Sequence, residues 1–315
     1  MEILWPFENG EVGEFFYARY NHPAVAEVEA ELGRLDGGSA VLFPSGTGAA
    51  TALALSLLRP GDTIALAAGA YYGTGRLFET LAPWGLRHVE FDQTGPPPAG
   101  VQLVWVEAPA NPMLTLPDLE AAVAHPAPLV VDSTVATPVA LRPLELGADF
   151  VLHSATKALG GHDDVLLGVV VCRDADAAEA LRRFRGLTGI SPAAEQARLL
   201  LRSLRTLEVR ALRQAASAAV IAKRLDAHPR VELVRYPGLG NLISFDVADG
   251  DAARRVETST RLVRNATSLG SVGSLIESRH RWEGDRVPAG LLRLSIGLED
   301  PAEIWADLAR ALENA

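Results

Sequence analysis

From residue 23 onward the chain alternates two patterns. Short, continuously apolar runs give way to stretches whose apolar residues recur every three or four positions. The helical spacing first appears at Pro23, where Val25, Val28, Leu32 and Leu35 share one face and Gly37-Gly38 ends the run. The apolar runs predict strands over Ala40–Phe43, Thr63–Ala67, Arg87–Phe91, Val101–Glu107, Leu129–Asp132, Phe150–Leu152 and Val165–Cys172. Most lack the in–out alternation of a half-exposed sheet, and helical stretches separate them. Such a pattern implies a mostly parallel sheet covered on both faces, a three-layer α/β/α domain over residues 23–205. Residues 192–227 read as one long helix linking the domains, since neither Pro nor Gly follows Pro192 in that stretch. Beyond it, strands at Val231–Val234, Asn241–Val247 and Leu292–Ile296, with helices over 250–263 and 301–313, predict a smaller α+β C-terminal domain over 206–315. Residues 1–22 show no clear period and read as an arm.

Composition narrows the function. At 315 residues, with 48% apolar and 22% charged positions, the chain is long enough for two domains and has a globular composition. Its net charge of −10 and lack of any Lys/Arg run exclude a surface built to follow nucleic acid or an anionic membrane. A single cysteine, Cys172, excludes a disulfide framework and argues against a thiolate metal site. The start, MEILWPFENGE, has neither the basic segment nor the apolar stretch of a signal peptide, and no run approaches the roughly 20 apolar residues of a membrane span. A cytoplasmic protein is expected.

Candidate chemistry gathers after the strands, where open parallel sheets bind ligands. Ser45-Gly46-Thr47-Gly48, Glu107 to Asn111, Asp132-Ser133-Thr134 and Ser154-Ala155-Thr156-Lys157 each follow an apolar run. The chain holds only two lysines, Lys157 and Lys223, against abundant arginine. A lysine kept beside Ser-x-Thr supplies what arginine cannot, an amine able to lose its proton and form a Schiff base. Asp132 ends its strand where a carboxylate would hold the pyridine nitrogen of pyridoxal 5'-phosphate (PLP) protonated. The turn at 45–48 offers helix N-terminal N–H groups to a phosphate. Taken singly, each has a plain structural reading: a surface lysine, a helix cap, a tight turn. A dinucleotide fingerprint fits the turn poorly, because Thr51 stands where that motif needs Gly or Ala.

Together the motifs YARYNHP (17–23), LFPSGTGAA (42–50), YYGTGRLF (71–78), WVEAPANP (105–112), VVDSTVATP (130–138), LGADFVLHSATKALGGHDDV (146–165), RTLEVR (205–210), YPGL (236–239), SLGSVGSLI (268–276) and RLSIGLED (293–300) resemble the Cys/Met-metabolism PLP enzymes. That group comprises cystathionine γ-synthase, cystathionine γ- and β-lyase, and methionine γ-lyase. The resemblance implies PLP fold-type I, an aspartate-aminotransferase-like fold, with PLP as cofactor. It implies Lys157 as the Schiff-base lysine and Asp132 as the pyridinium partner. Ser154, Thr156, Gly46 and Thr47 would serve the phosphate, Tyr71 would stack on the ring and relay protons, and Asn111 would bond the phenolic oxygen. Tyr17 and Arg19 would reach the phosphate of an adjacent subunit, making a homodimer the minimal unit and a homotetramer the expected assembly. Arg293 would clamp the substrate α-carboxylate beside Ser268, with Glu107 and Arg76 as further substrate contacts. No metal is expected at His162-Asp163-Asp164.

The chain also departs from that family. The arm before Tyr17 is reduced, a loop after YPGL is missing, and the stretch between Ile276 and Arg293 is compressed. Tyr72 stands where the family usually has glycine, Gly73 where methionine γ-lyases carry a cysteine, and Thr267 where lyases acting on cystathionine carry an acid. The expected activity is a carbon–sulfur lyase of the cystathionine γ-lyase type on sulfur amino acids, by α,γ- or α,β-elimination, giving a 2-oxo acid, ammonia and a thiol. The alternatives are γ-replacement of the synthase type and a non-catalytic PLP-binding relative.

Overall fold

The structure, a computed structural model, describes residues 2–315. Its first part runs α1 (Pro23–Asp36), β1 (Ser39–Phe43), α2 (Gly46–Leu57), β2 (Thr63–Ala67), α3 (Tyr72–Leu81), β3 (Arg87–Phe91), β4 (Leu103–Glu107), α4 (Leu119–Ala124), β5 (Leu129–Asp132), α5 (Thr137–Ala140), β6 (Phe150–Ser154), β7 (Gly168–Cys172), α6 (Ala175–Thr188), α7 (Ala194–Leu204) and α8 (Leu207–Asp226). Local chemistry explains the first helix. The His22 ring accepts from the Ala24 N–H at 3.0 Å, Pro23 brings a preset φ to the first turn, and Gly37 ends it at φ 80°.

Among the described residues these strands form a seven-stranded sheet in the order β1-β7-β6-β5-β4-β2-β3. β3, β2, β4, β5 and β6 are parallel neighbours, whereas β7 runs antiparallel to both β1 and β6. The expected mostly parallel sheet is therefore present, with one reversed strand. The apolar run at 165–172 is a strand only from Gly168 onward. A Cβ at Gly168 would stand 2.2 Å from the Ser45 carbonyl oxygen, so glycine lets β7 pass under the turn at 45–48. Apolar layers seal both faces: Leu53, Phe78 and Trp105 on one, Val28, Val151 and Leu200 on the other.

The single helix expected over 192–227 is two helices, α7 and α8, broken at Arg205-Thr206. The break follows from tertiary bonding. Arg210 donates to the carbonyls of Ala158, Leu159 and Ser203, and Thr206 Oγ1 donates to Ser203. No proline or glycine marks the site, so periodicity alone had nothing to detect.

The rest of the chain forms β8 (Leu233–Arg235), β9 (Leu242–Asp246), α9 (Gly250–Ser259), β10 (Arg264–Asn265), β11 (Leu275–Ser278), α10 (His280–Glu283), β12 (Leu291–Ser295) and α11 (Pro301–Leu312). The second sheet has the order β10-β11-β12-β9-β8 and its own core, including Ile221, Phe245, Leu294 and Leu308. β11 was not expected from the sequence. It pairs antiparallel with β12 and sets Glu277 directly opposite Arg293. Among the described residues, no helix is long and apolar enough to cross a membrane.

Candidate active site

The carboxyl ends of the parallel strands converge on a cavity of about 230 Å³, which β12 of the second sheet closes. Of the residues singled out in the sequence, Gly46, Thr47, Tyr71, Glu107, Asn111, Asp132, Ser154, Thr156, Lys157, Ser268 and Arg293 line it. At one end Ser45 caps α2, its Oγ accepting from Gly48 N at 2.9 Å. The N–H groups of Gly46 and Thr47 lie in the first turn and have no carbonyl of their own helix to bond. A Cβ at Gly46 would stand 2.9 Å from Ser154 Cβ, so glycine keeps this cradle open. Donors of this kind, beside the Ser154 hydroxyl, suit a phosphate.

At the other end, Asp132 Oδ1 accepts from Thr134 N at 3.0 Å and from Thr134 Oγ1 at 2.5 Å. Both bonds fall on one oxygen, which leaves Oδ2 for a protonated ring nitrogen. Burial drives the Asp132 carboxyl above its ordinary range, with the Thr134 bonds and His153 pulling it back. Glu107, also buried, is pushed further up, first by desolvation and then by the charge of Asp132. Its Oε2 accepts from Tyr71 N at 2.5 Å, so Glu107 anchors the residue before α3. The Tyr71 and Tyr72 rings meet edge-on, with centroids 5.0 Å apart. A Cβ at Gly73 would lie 2.4 Å from Tyr71 Cε1, so a cysteine at this position would force the Tyr71 ring to move.

Lys157 stands between the two ends. Its Nζ donates to Ser268 Oγ at 2.8 Å. Burial, and then the Arg293 charge, lower its pKa to about 8. At pH 7 roughly one amine in ten is then neutral, a few hundred times the share of an ordinary lysine. Arg293 NH2 donates to the Ser268 carbonyl at 2.8 Å, and its NH1 to Asn111 Oδ1 at 2.9 Å. Ser268 makes both contacts from a φ of 95°, a backbone conformation that an L-residue holds only under local constraint.

Behind Arg293 lies a charge cluster that sequence reasoning missed. Glu277 accepts from Arg293 NH2, from Arg279 NH1 at 2.8 Å and from Trp282 Nε1 at 3.0 Å. Arg279 also donates to Glu283 at 2.9 Å, and its guanidinium carbon lies 5.8 Å from the Tyr72 ring centre. Arg279 lines the cavity. Two buried guanidinium groups and two buried carboxylates make this cluster electrically neutral, which makes its burial tolerable. The only sequence signal was an arginine two residues after an acid in the compressed stretch before Arg293. Glu277→Gln removes the charge that orients Arg293 and leaves the cradle in place, while Lys157 loses only a secondary charge that favours its proton. The expected result is an approximately tenfold rise in KM for the amino-acid substrate with kcat within about threefold, measured by steady-state kinetics.

Other expected residues lie elsewhere. Arg76 is outside the cavity, exposed and paired with Glu79 at 3.0 Å. Thr74 and Phe78 form the buried face of α3, so Arg76 between them points outward and is not placed as a contact to a bound substrate. Thr156 lines the cavity, but its hydroxyl already bonds Leu167, donating at 3.2 Å to the carbonyl and accepting at 3.1 Å from the N–H. Tyr17 and Arg19 do not line the cavity of their own chain. Arg19 donates to the Gly186 carbonyl and stacks over the Tyr17 and Tyr20 rings. Asp163 accepts from Arg264 and Ser271, and no cluster of metal-ligating side chains occurs among the described residues.

Comparison with known proteins agrees with this geometry. The sequence profile of the Cys/Met metabolism PLP-dependent enzymes matches residues 4–313. An L-methionine gamma-lyase from Streptomyces avermitilis is 44% identical, over 94% of this chain and 75% of its own length. A cystathionine gamma-synthase from Mycobacterium tuberculosis H37Rv is 35% identical, over 95% of this chain and 87% of its own. The crystal structure of CalE6 from Micromonospora echinospora, described as a cystathione gamma lyase, superposes with a TM-score of 0.93 at 36% identity, covering 99% of this chain and 92% of that one.

Proposed function

We propose a reaction on one premise: the chain belongs to the Cys/Met metabolism PLP-dependent enzyme family. It has the fold-type I architecture and is a PLP-dependent enzyme acting on sulfur amino acids. Its reaction is carbon–sulfur elimination, in which the substrate and one water yield a 2-oxo acid, ammonia and a thiol.

One observation carries this reading. Lys157 Nζ and Arg293 NH2 each lie 2.8 Å from an atom of the same residue, Ser268. A proton-accepting amine and a guanidinium suited to a carboxylate thus converge on one residue in the wall of the same cavity. The cavity also suits the cofactor, with a partly neutral amine, a free carboxylate oxygen and a glycine-lined N–H cradle. Lys157 would hold PLP covalently, Asp132 its ring nitrogen, and Gly46, Thr47 and Ser154 its phosphate. When bound, PLP supplies an aldehyde for amines and a protonated ring that draws electrons from the substrate Cα.

The protein's own groups do the rest. Arg293 fixes the α-carboxylate by its charge and its remaining N–H donors and so aims the Cα–H bond at Lys157. Lys157 Nζ takes the Cα proton and, when the leaving group sits at Cγ, must give that proton up before it takes a second one from Cβ. Tyr71, anchored through Glu107, delivers a proton to the departing sulfur. Its hydroxyl is held on the acid side of its titration by burial, against the pull of Arg279 and Arg293. The exposed apolar residues Ile3, Leu4, Phe7 and Val12 support an arm that packs on a second copy, where Tyr17 and Arg19 would serve the phosphate.

The γ-replacement alternative uses the same residues and has a named relative of that activity. A substrate panel separates the two. The holoenzyme is given L-methionine, L-homocysteine, L-cystathionine and O-acylated homoserine, with and without an added thiol. Release of oxo acid and thiol without a nucleophile is the expected result. Turnover only with added cysteine would assign the synthase instead, and no turnover with any of them would defeat the enzyme reading.

A further inference from the structure

Behind the strand end that carries Asp132 lies a pair of buried ionisable groups that the proposed reaction does not use. His153 on β6 has no exposed surface. Its Nε2 is 3.0 Å from Asp36 Oδ2 of α1, and its Nδ1 is 3.1 Å from the Ser133 carbonyl oxygen. Both neighbours are acceptors. A neutral imidazole carries one N–H and would set its other lone pair against an oxygen, whereas the doubly protonated ring donates to both.

The residues around His153 also fix Asp132. Ser133 N donates to Leu152 O at 2.9 Å, and Ser154 N to Thr134 Oγ1 at 2.9 Å. That hydroxyl in turn donates to Asp132 Oδ1 at 2.5 Å. The ends of β5 and β6 are thus laced together, with the His153 ring bonded to the carbonyl of the residue after Asp132. We propose that Asp36 and His153 form a positioning dyad, an imidazolium seated behind Asp132 that keeps this carboxylate ionised and aimed at the cofactor ring. The proposal rests on the assignment of Asp132 to that ring.

Electrostatics agree with the geometry. Burial opposes the charge on Asp132, and the His153 cation offsets it. The charges that act on His153 are Asp36 from α1 and Asp132 from β5. They hold its proton against the desolvation that would remove it, and the net direction is upward. Residues 36 and 153 are 117 positions apart, so only the fold brings them together.

The test uses three holoenzymes: wild type, Asp36→Asn and Asp132→Asn. PLP affinity is measured by titration of the apoprotein, and the pH midpoint of the bound cofactor's visible absorption is recorded. Asp36→Asn is expected to weaken PLP binding about tenfold and to raise the midpoint by about one unit, because a less firmly protonated ring draws less charge from its bond to Lys157. Asp132→Asn moves both further in the same direction. Neutron diffraction on the wild type should find hydrogen on both nitrogens of His153 and none on Asp36. This last result decides the matter if Asp36→Asn does not fold. A wild-type spectrum and affinity in folded Asp36→Asn would overturn the dyad, as would a singly protonated ring beside a protonated Asp36. If Asp132→Asn is itself unchanged, the assignment of Asp132 is wrong and the dyad goes with it.

Discussion

Lys157→Ala lowers kcat/KM by at least about 10⁴-fold while the protein stays folded and still takes up PLP. The loss is this large because one atom serves two roles. In the proposed reaction Nζ is both the covalent hold on the cofactor and the base that takes the Cα proton, and a positioned base alone accounts for about 10²–10⁴-fold. Cofactor uptake survives because the phosphate cradle and Asp132 are untouched. Steady-state kinetics at saturating PLP measures the loss. Borohydride treatment followed by peptide mass analysis should fix the cofactor to residue 157 in wild type and to nothing in the variant. A variant retaining more than a hundredth of wild-type activity would remove Lys157 from the centre of the mechanism.

The same amine has a cost in stability with a definite sign. Its pKa falls from the ordinary 10.5 to about 8, mainly through burial, so the folded state disfavours the charged form. The protein is then most stable, as far as this group is concerned, above pH 10.5. That contribution declines as pH falls toward 8 and is gone below it. Lys157→Met in the apoprotein should therefore raise Tm at pH 7 and change it little near pH 11. Differential scanning calorimetry at the two pH values checks this.

Asp132→Asn is expected to cost about a hundredfold or more in kcat/KM. An amide matches the size of the carboxylate and can still bond Thr134, but it cannot hold a proton on the ring nitrogen by charge. Its effect on stability should run the other way. Asp132 and Glu107 are two buried carboxylates in one site, and the charge of Asp132 is the second-largest cause of the upward push on Glu107. Removing that charge lets Glu107 ionise at lower pH and relieves the repulsion. The apoprotein should be as stable as wild type or more so. Loss of activity with no loss of Tm distinguishes a functional carboxylate from a structural one. A fall in Tm with kcat/KM within threefold of wild type would make Asp132 a strand-end cap and nothing more.

The local pattern of the chain was enough for the α/β layers and most of the strand ends, though β6 runs two residues past its expected end, to Ser154. A strand's continuous apolar run and a helix's spacing of three or four are short-range properties, written within a dozen residues. The rarity of lysine is likewise a fact of sequence, and it drew attention to Lys157 before any contact was known. Tertiary structure decided what depends on distance across the chain. Arg279 and Glu277 enter the site only because β11 pairs with β12 and sets residue 277 beside residue 293. Arg76 leaves the site because α3 turns it toward solvent, and the helix over 192–227 breaks because Arg210 is drawn to carbonyls some 50 residues away. Asp36 and His153 look like an ordinary helix end and an ordinary strand residue until the fold brings the last residue of α1 to the side chain on β6. Charge pairing and burial are properties of space, so a linear sequence carries the groups but not their neighbours.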